Sequence, residues 1–586
     1  MALLAGCHED DATSTVTAST GANLSGLVLS VGDLSPAFHA DSTFYTATAG
    51  FLTRSITVTP TLLDSSATVM VNNVVSTSGA SSANTPLSEG LNTVTVVVTS
   101  ADGTTQKAYV ILVTRQASYT FAQQAYAKAS NAEANDAFGS AVALSGDTLA
   151  VAAYQEDSDS DTINGDDSDN SANQSGAVYV FIRDGEGTWT QQAYLKAFNS
   201  DILDQFGFSV TLSGDTLVVG APGEASIATG INEDESDNSA STSGAAYVFI
   251  RDGEGTWTQQ AYIKASNTEA LDLFGTSVSL SGDTLAVGAS REDSSATGID
   301  GDESNNGTLT SGAVYVFTRD GGGIWSQEAY IKASNTGAND LFGYTLTVSG
   351  DTLAVGAYGE ASNATGINQD QSNNSMFESG AVYIFTRSGT TWTQEAYIKA
   401  SNTEADDWFS YGLALSGDTL AVSAYKEDSN ATVINGDEAN NTYTNSGAVY
   451  IFTRSGTTWS QQAYIKPSNT GAADHFGYSV ALSGDTLAVG AEWEDNAETG
   501  INKPDGSGAD DSGAAYVFTR SGTTWSQEAY IKASNTDSDD KFGVSCTLSG
   551  DTLVVMAIDE ASNATVINGD ESNNTASGSG AGYIFD

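Results

Sequence analysis

The sequence predicts an all-β protein: a seven-bladed β-propeller of four-stranded blades, closed by an N-terminal strand and preceded by a β-sandwich domain. Three observations predict it. A Ser-Gly-Asp-Thr-Leu core recurs seven times, with its aspartate at Asp147, Asp215, Asp283, Asp351, Asp418, Asp485 and Asp551. The steps are 68, 68, 68, 67, 67 and 66 residues, and so regular a period marks one supersecondary unit copied and stacked, each copy burying its neighbour's apolar face. Each full copy holds four short Val/Ile/Tyr/Phe runs between Gly, Asn, Asp and Ser clusters, the pattern of strands and turns. Finally, the chain stops after a third strand, Gly582–Asp586, and a segment of the fourth-strand type, Tyr119–Lys128, stands before the first copy. Borrowing it would close a ring and remove a free sheet edge.

Three regions follow in order: 1–22, 23–116 and 117–586. In the first, Leu4-Ala5-Gly6-Cys7 resembles a bacterial lipobox, which implies lipidation at Cys7. The basic and long apolar segments that usually precede such a motif are missing, so either the start is truncated or the match is fortuitous. The polar Ser/Thr-rich stretch from His8 to Ala22 favours the former, because tethers of this composition separate an anchor from a domain. No segment approaches the roughly 18 apolar residues of a membrane helix.

Residues 23–116 have no copy elsewhere. Alternating apolar residues at Leu24–Val31, Phe44–Ala47, Ile56–Pro60, Ala67–Val71, Thr93–Val98 and Ala108–Val113 predict six or seven short strands of a sandwich. Leu34-Ser-Pro-Ala-Phe38, Leu87-Ser-Glu-Gly-Leu-Asn92 and Ala101-Asp-Gly-Thr-Thr105 resemble the bacterial cadherin-like β-sandwich family. That resemblance implies a spacer or adhesive module without catalytic residues.

Within 117–586, a first strand such as Ser209–Leu212 leads through Ser-Gly-Asp-Thr into a second, Thr216–Ala221, with glycine supplying positive φ for a two-residue hairpin turn. A polar loop of some 22 residues follows, then a third strand apolar on both faces (Gly312–Arg319) and a fourth (Trp325–Lys332). Phe206-Gly207 and Gly220-Ala-Pro222 resemble the FG-GAP family, the repeat of integrin α-subunit propellers and many bacterial surface proteins. The family's Asp-x-Asp-x-Asp-Gly calcium loop lies between the first two strands. This chain has only Ser-Gly-Asp-Thr there, so those calcium sites do not carry over.

The net charge is −53, and 49 of the 73 acidic residues fall in the long loops and inter-blade connections, which a four-stranded meander places on one face, against four basic residues. Lysines end the fourth strands and arginines the third. The arginines point to the opposite face, so the disc is expected to be electrically polar. Nucleic acid and anionic lipid surfaces are disfavoured, since phosphate recognition needs clustered Lys and Arg. Hard cations such as Ca²⁺ take the carboxylate and amide oxygens that these loops supply. The candidate calcium ligands are Asp157, Asp159, Asp161, Asn164 and Asp166, then Asn435, Asp437 and Glu438, then Asn568, Asp570 and Glu571. The alternative is a set of hydrated, solubilising loops.

Catalytic signatures are missing. His8, His39 and His475 are scattered, no Cys/His cluster could hold zinc, and no nucleophile elbow or P-loop is present. Cys546 stands where other copies carry Val or Leu and reads as a small buried hydrophobe. Blade five (Trp408, Phe409-Ser410) and blade six (Trp493, Lys503-Pro504) break the repetition and are the first places to look for a site. The expectation is a non-catalytic bacterial cell-surface binding or adhesion protein with a protein or polysaccharide ligand, attached to the membrane only through the lipid anchor. The alternatives are a polysaccharide-acting propeller enzyme and a structural surface protein adapted to salt.

Overall fold

The computed structural model describes residues 21–30, 34–49, 53, 55–88, 90–115, 121–504, 506 and 508–586; Cys7 and its tether lie outside them. The chain divides into two compact units, 1–119 and 120–586, and no helix occurs among the described residues.

In the first unit a five-stranded sheet runs in the order Phe44–Ala49, Gln106–Arg115, Gly90–Thr99, Thr68–Val71, Val74–Ser76. Leu24–Leu29 pairs with Val58–Leu62 in a second layer. Alternation does the work the sequence promised: Val94, Val96 and Val98 face inward with Tyr109 and Ile111 and are fully buried. The six expected strands are all present. Ser55–Ile56, Thr85–Pro86, with which it pairs, and Val74–Ser76 are additional, each too short to show a period.

The second unit is seven four-stranded antiparallel sheets, six of them meandering in sequence order. First strands of successive blades pack on one another around the ring, and Phe138–Ser145 of blade one meets Phe542–Ser549 of blade seven, so the ring is closed. The blade-seven sheet takes its outer strand from Gln123–Ala127, paired with Ala581–Phe585. Phe121 stacks on Phe585 at 5.6 Å, in the place that tryptophan holds in the other blades. Apolar cores lie between blades: Val178 and Val180 of blade one pack with Phe206, Val219 and Tyr247 of blade two. This is why second and third strands are apolar on both faces.

The hairpin glycines have φ near +57°, as at Gly214, with Ser213 directly opposite Thr216. The glycine ahead of each third strand is required by close approach: a Cβ on Gly244 would lie 2.0 Å from the Phe274 carbonyl oxygen of the next blade. The peptide N–H of Phe274 in turn donates to the Ser243 carbonyl at 2.9 Å, joining blade to blade.

The lysines ending the fourth strands are not surface charges. In blade one, Lys196 Nζ donates to Glu156 Oε2 (3.0 Å), the Ser158 carbonyl (2.9 Å) and Ser175 Oγ (2.7 Å), which uses all three of its protons. Glu156 Oε1 accepts from Tyr194 OH (3.0 Å) and from Asn131 Nδ2 (3.0 Å) of the incoming connection. Each blade repeats the buried Lys–Glu pair, from Lys264–Glu224 at 2.6 Å to Lys466–Glu427 at 3.3 Å. Each connection also buries an aspartate, Asp136 in blade one and Asp340 in blade four. Fifteen of the loop-face carboxylates, two per blade and Glu492 of blade six, are therefore inside the protein.

That revises the expected polarity. On the opposite face, arginines pair with hairpin aspartates, as Arg319 with Asp283 at 2.8 Å and Arg387 with Asp351 at 2.8 Å. The positive charge there is matched locally, and the loop face keeps the excess of exposed acid. Cys546 is half-buried, with Ser479 Oγ donating to its sulfur at 3.4 Å, because first strands line the axis and are less enclosed than the strands behind them.

Candidate functional site at the mouth of the ring

Since the first strands ring the axis, each blade sends three positions to the loop-side mouth: the residue before Phe-Gly, the residue after it, and the residue following the second strand. In blade three these are Leu273, Thr276 and Ser290, and in blade seven Lys541, Val544 and Ile558. Blades four to six differ. Theirs are Leu341, Tyr344 and Tyr358, then Trp408, Tyr411 and Tyr425, then His475, Tyr478 and Glu492.

These rings form one continuous cluster across three blades. Tyr344 and Tyr411 are 5.7 Å apart, and Tyr411 and Tyr478 5.3 Å. Tyr358 packs on Trp408 at 4.9 Å. Tyr425 meets the edge of His475 at 4.9 Å, and His475 stacks on Trp493 at 4.0 Å. Trp493 remains 36% exposed, and Phe377, on the rim, 61%. Such pairs favour the offset and edge-on geometries seen here. Burial raises the pKa of Tyr344, Tyr411, Tyr425 and Tyr478, and pushes Tyr358 up to about 12. All these hydroxyls stay neutral at physiological pH and can donate as well as accept.

Two cavities flank the cluster. One, of about 600 Å³, mixes apolar groups, including Phe208, Pro222, Leu341, Tyr358 and Phe377, with polar ones, among them Gln205, Asn339, Arg291 and Glu378. The other, of about 270 Å³, is polar: Tyr154, Gln155, Glu492 and the Lys541–Asp559 ion pair (2.7 Å) line it. Glu378 accepts the Trp408 indole N–H at 2.8 Å, and Lys426 Nζ sits 3.3 Å from the centre of the Trp408 ring. His475 Nδ1 lies 3.4 Å from Glu492 Oε1. Two buried polar atoms of this region have no hydrogen-bond partner among the described residues, His475 Nε2 and Ser410 Oγ.

The candidate calcium ligands are not brought together. Asn164, Asn435 and Asn568, all at φ +55°, accept and donate with the peptides of Tyr194, Tyr464 and Tyr126, which pins each loop to a fourth strand. Asp166 and Asp570 close turns on Ser168 and Ser572, and Asp437 accepts from the Ala439 N–H. Glu438 and Glu571 accept from Ser401 and Ser534 of the connections. Asp157 caps Gln174, while the Asp159 peptide N–H bonds to the Asp169 carbonyl. The alternating spacing that suggested a shared shell instead turns successive side chains towards different partners, and no group of three or more His, Cys, Asp or Glu side chains able to hold a metal ion occurs among the described residues.

Of the residues that broke the repetition, Trp408 and Trp493 are at the mouth; Lys503-Pro504 is out on a long loop, where the Pro504 carbonyl accepts from Asn496. His475, which looked like scatter, joins them. The signal was a substitution pattern at three positions per repeat, legible only once the ring shows that those positions converge.

A closed ring of seven four-stranded repeats, with one aromatic-lined opening and no assembled metal or catalytic cluster among the described residues, defines a propeller-type repeat protein. A family model described as FG-GAP repeat matches residues 121–181, 189–249, 257–317, 325–385, 392–452, 459–518 and 525–585, and the chain belongs to that family. A cadherin-like beta sandwich domain model matches residues 13–116. A protein of Evansella cellulosilytica described as "Putative membrane protein" is 44% identical over 106 residues, which is 18% of this chain and 16% of the relative. Among solved structures, PorZ, a bacterial surface component of the type-IX secretion system of Porphyromonas gingivalis, aligns over 90% of this chain and 65% of its own at 11% identity. Its TM-score is 0.21, too slight a likeness to bear on fold or function.

Proposed function

We propose that this chain is a non-catalytic binding protein of the bacterial cell surface, in which the β-sandwich serves as spacer and the propeller presents a ligand site at its loop-side mouth. One observation carries the reading: at the mouth, Trp408 and His475 stand where the other blades carry Ala, Gln, Leu or Lys, Trp493 stands where they carry polar residues or Gly, and these three join the tyrosines of neighbouring blades in one cluster. Drift alone would scatter such changes over the loops. The two domain families and the membrane description of the Evansella relative support the surface placement, as does the lipobox-like Cys7. The ligand is a protein or polysaccharide. One mouth carboxylate, Glu378, is taken up by the Trp408 indole N–H at 2.8 Å.

The test is retention of labelled full-length chain on immobilised bacterial and host surface extracts, comparing wild type with a Trp408→Ala/Trp493→Ala variant. The expected result is loss of most retained protein in the variant at unchanged circular dichroism. Equal retention would refute the mouth as the site. Release of soluble sugar from polysaccharide extracts would move the reading to the enzyme alternative.

A further inference from the structure

We infer that the mouth takes a neutral polysaccharide chain, its sugar rings lying against the aromatic faces of blades four to six and its hydroxyls reaching the polar cavity beside blade seven. This rests on the mouth being the ligand site, as proposed above.

The chemistry of the opening selects this class. A pyranose has apolar C–H faces and a girdle of hydroxyls, so it needs flat rings next to mixed donors and acceptors. The mouth offers both at adjoining places. The exposed rings of Trp493 and Phe377 and the half-buried Tyr358 supply the platforms, with Trp408, covered by Lys426, packed behind them. Tyrosine hydroxyls, Gln155 and Glu492 supply the hydrogen-bonding groups. The larger cavity, about 600 Å³, falls within the roughly 300–1,000 Å³ of small-ligand clefts. It is lined by Leu273, Thr276 and Ser290 of blade three as well as by Leu341, Tyr344 and Tyr358 of blade four, a span that suits several sugars rather than one.

Charge removes the competing classes. The exposed acid of the surrounding loops, in a chain of net charge −53, repels polyanions such as sulfated or phosphorylated glycans. A cationic ligand would seek the face of Trp408, and Lys426 already occupies it at 3.3 Å. Inside the polar cavity Lys541 is balanced in place by Asp559 at 2.7 Å. A neutral ligand needs none of these pairs broken.

The experiment is calorimetric titration of the full-length chain with cellohexaose, xylohexaose, mannohexaose and chitohexaose, followed by tryptophan fluorescence, with a hyaluronan hexasaccharide as the anionic control. At least one neutral hexasaccharide is expected to bind saturably with a fluorescence change, and the anionic one to bind at least tenfold more weakly or not at all. Trp493→Ala and Phe377→Ala, both at exposed positions, are expected to weaken binding about tenfold or more each; Val566→Ala, on a distant loop, leaves it unchanged. If none of the four neutral hexasaccharides binds, or the anionic one binds best, the inference is overturned. Should the surface-extract assay still depend on Trp408 and Trp493 in that case, the mouth remains the site and only the ligand class falls. If binding occurs but ignores both mouth substitutions, the inference and the mouth reading fall together.

Discussion

Replacing Lys332 by methionine tests whether the buried lysines hold the loops to the blades. Its side chain is wholly enclosed, and Nζ donates to Glu292 Oε2 and Ser311 Oγ, each at 2.7 Å. Methionine fills most of the space and removes the charge. Glu292, itself 1% exposed, is then left with two neutral donors, Tyr330 OH at 2.9 Å and Asn267 Nδ2 at 3.2 Å. At 2.7 Å and an effective dielectric constant of about 20, the lost attraction is about 6 kcal/mol. Part of it returns because the ammonium no longer has to be desolvated, which leaves a net cost of about 3–5 kcal/mol, as for other buried pairs broken from one side. Arg319→Gln on the opposite face should cost only about 0–1 kcal/mol, since its partner Asp283 is 65% exposed. Lys332→Met/Glu292→Gln should recover at least half the loss, because glutamine still accepts from Tyr330 and Asn267 and carries no charge. Urea denaturation of the full chain at pH 7.5, followed by tryptophan fluorescence, reads all three. If Lys332→Met costs no more than Arg319→Gln, or the double variant is less stable than the single, the reasoning is refuted.

Three further perturbations separate the electrostatic effects. Burial raises the pKa of Asp340 to about 7 and those of Asp204, Asp272 and Asp407 to about 8. A carboxyl whose pKa is higher folded than unfolded contributes stability that is complete below about pH 4 and is lost as pH rises through 7–8. Melting temperature should therefore fall from pH 6 to pH 9, and Asp340→Asn, which keeps an acceptor for the Gly337 N–H at 2.7 Å, should gain on wild type across that range. A gap that narrows as pH rises would contradict this. For the acidic loops, whose candidate ligands are engaged in separate turn bonds, calcium and sodium at matched ionic strength should raise the melting temperature equally. A saturable, calcium-specific rise at low millimolar concentration would restore Asp157–Asp166 as a site. Ser410→Gly should stabilise the chain by about 1–2 kcal/mol, since it relieves a non-glycine residue at φ +83° and removes a buried hydroxyl without a partner; a loss of stability would mean that Ser410 Oγ is satisfied.

Much of the fold was legible because repetition multiplies weak signals. One Ser-Gly-Asp-Thr says only hairpin; seven at fixed spacing say ring. Phe121 in the register of Trp189 then says how the ring closes. The same repetition hid the charge balance. Glu292 and Lys332 are 40 residues apart, and each looks like an ordinary surface charge until the loop folds back over the fourth strand. The recurring pairing of one early-loop glutamate with one strand-ending lysine was in the sequence; that both were buried was not, because an acid in a polar loop has no periodicity from which to read its exposure.

Asymmetry was harder to read for the opposite reason. The mouth is assembled from positions in different blades, some separated by more than 60 residues, and no local pattern links Tyr344 to Tyr411 or Tyr425 to His475. Each departs from its repeat by a single residue, and a single departure in a loop-adjacent position looks like drift. Geometry changes the weighing. Were these substitutions drift, they would fall at random among the mouth, the loops and the outer strands, and aromatic rings would have no reason to meet. A separate Tyr154–Phe208 contact (5.7 Å) lies in blades one and two, but the continuous cluster runs through three consecutive blades, with Phe377 and Trp493 left open at the rim. Exposed aromatic rings bring no folding benefit that smaller residues in the other blades fail to supply. Their concentration at one opening is therefore better explained by something bound there than by the needs of the fold.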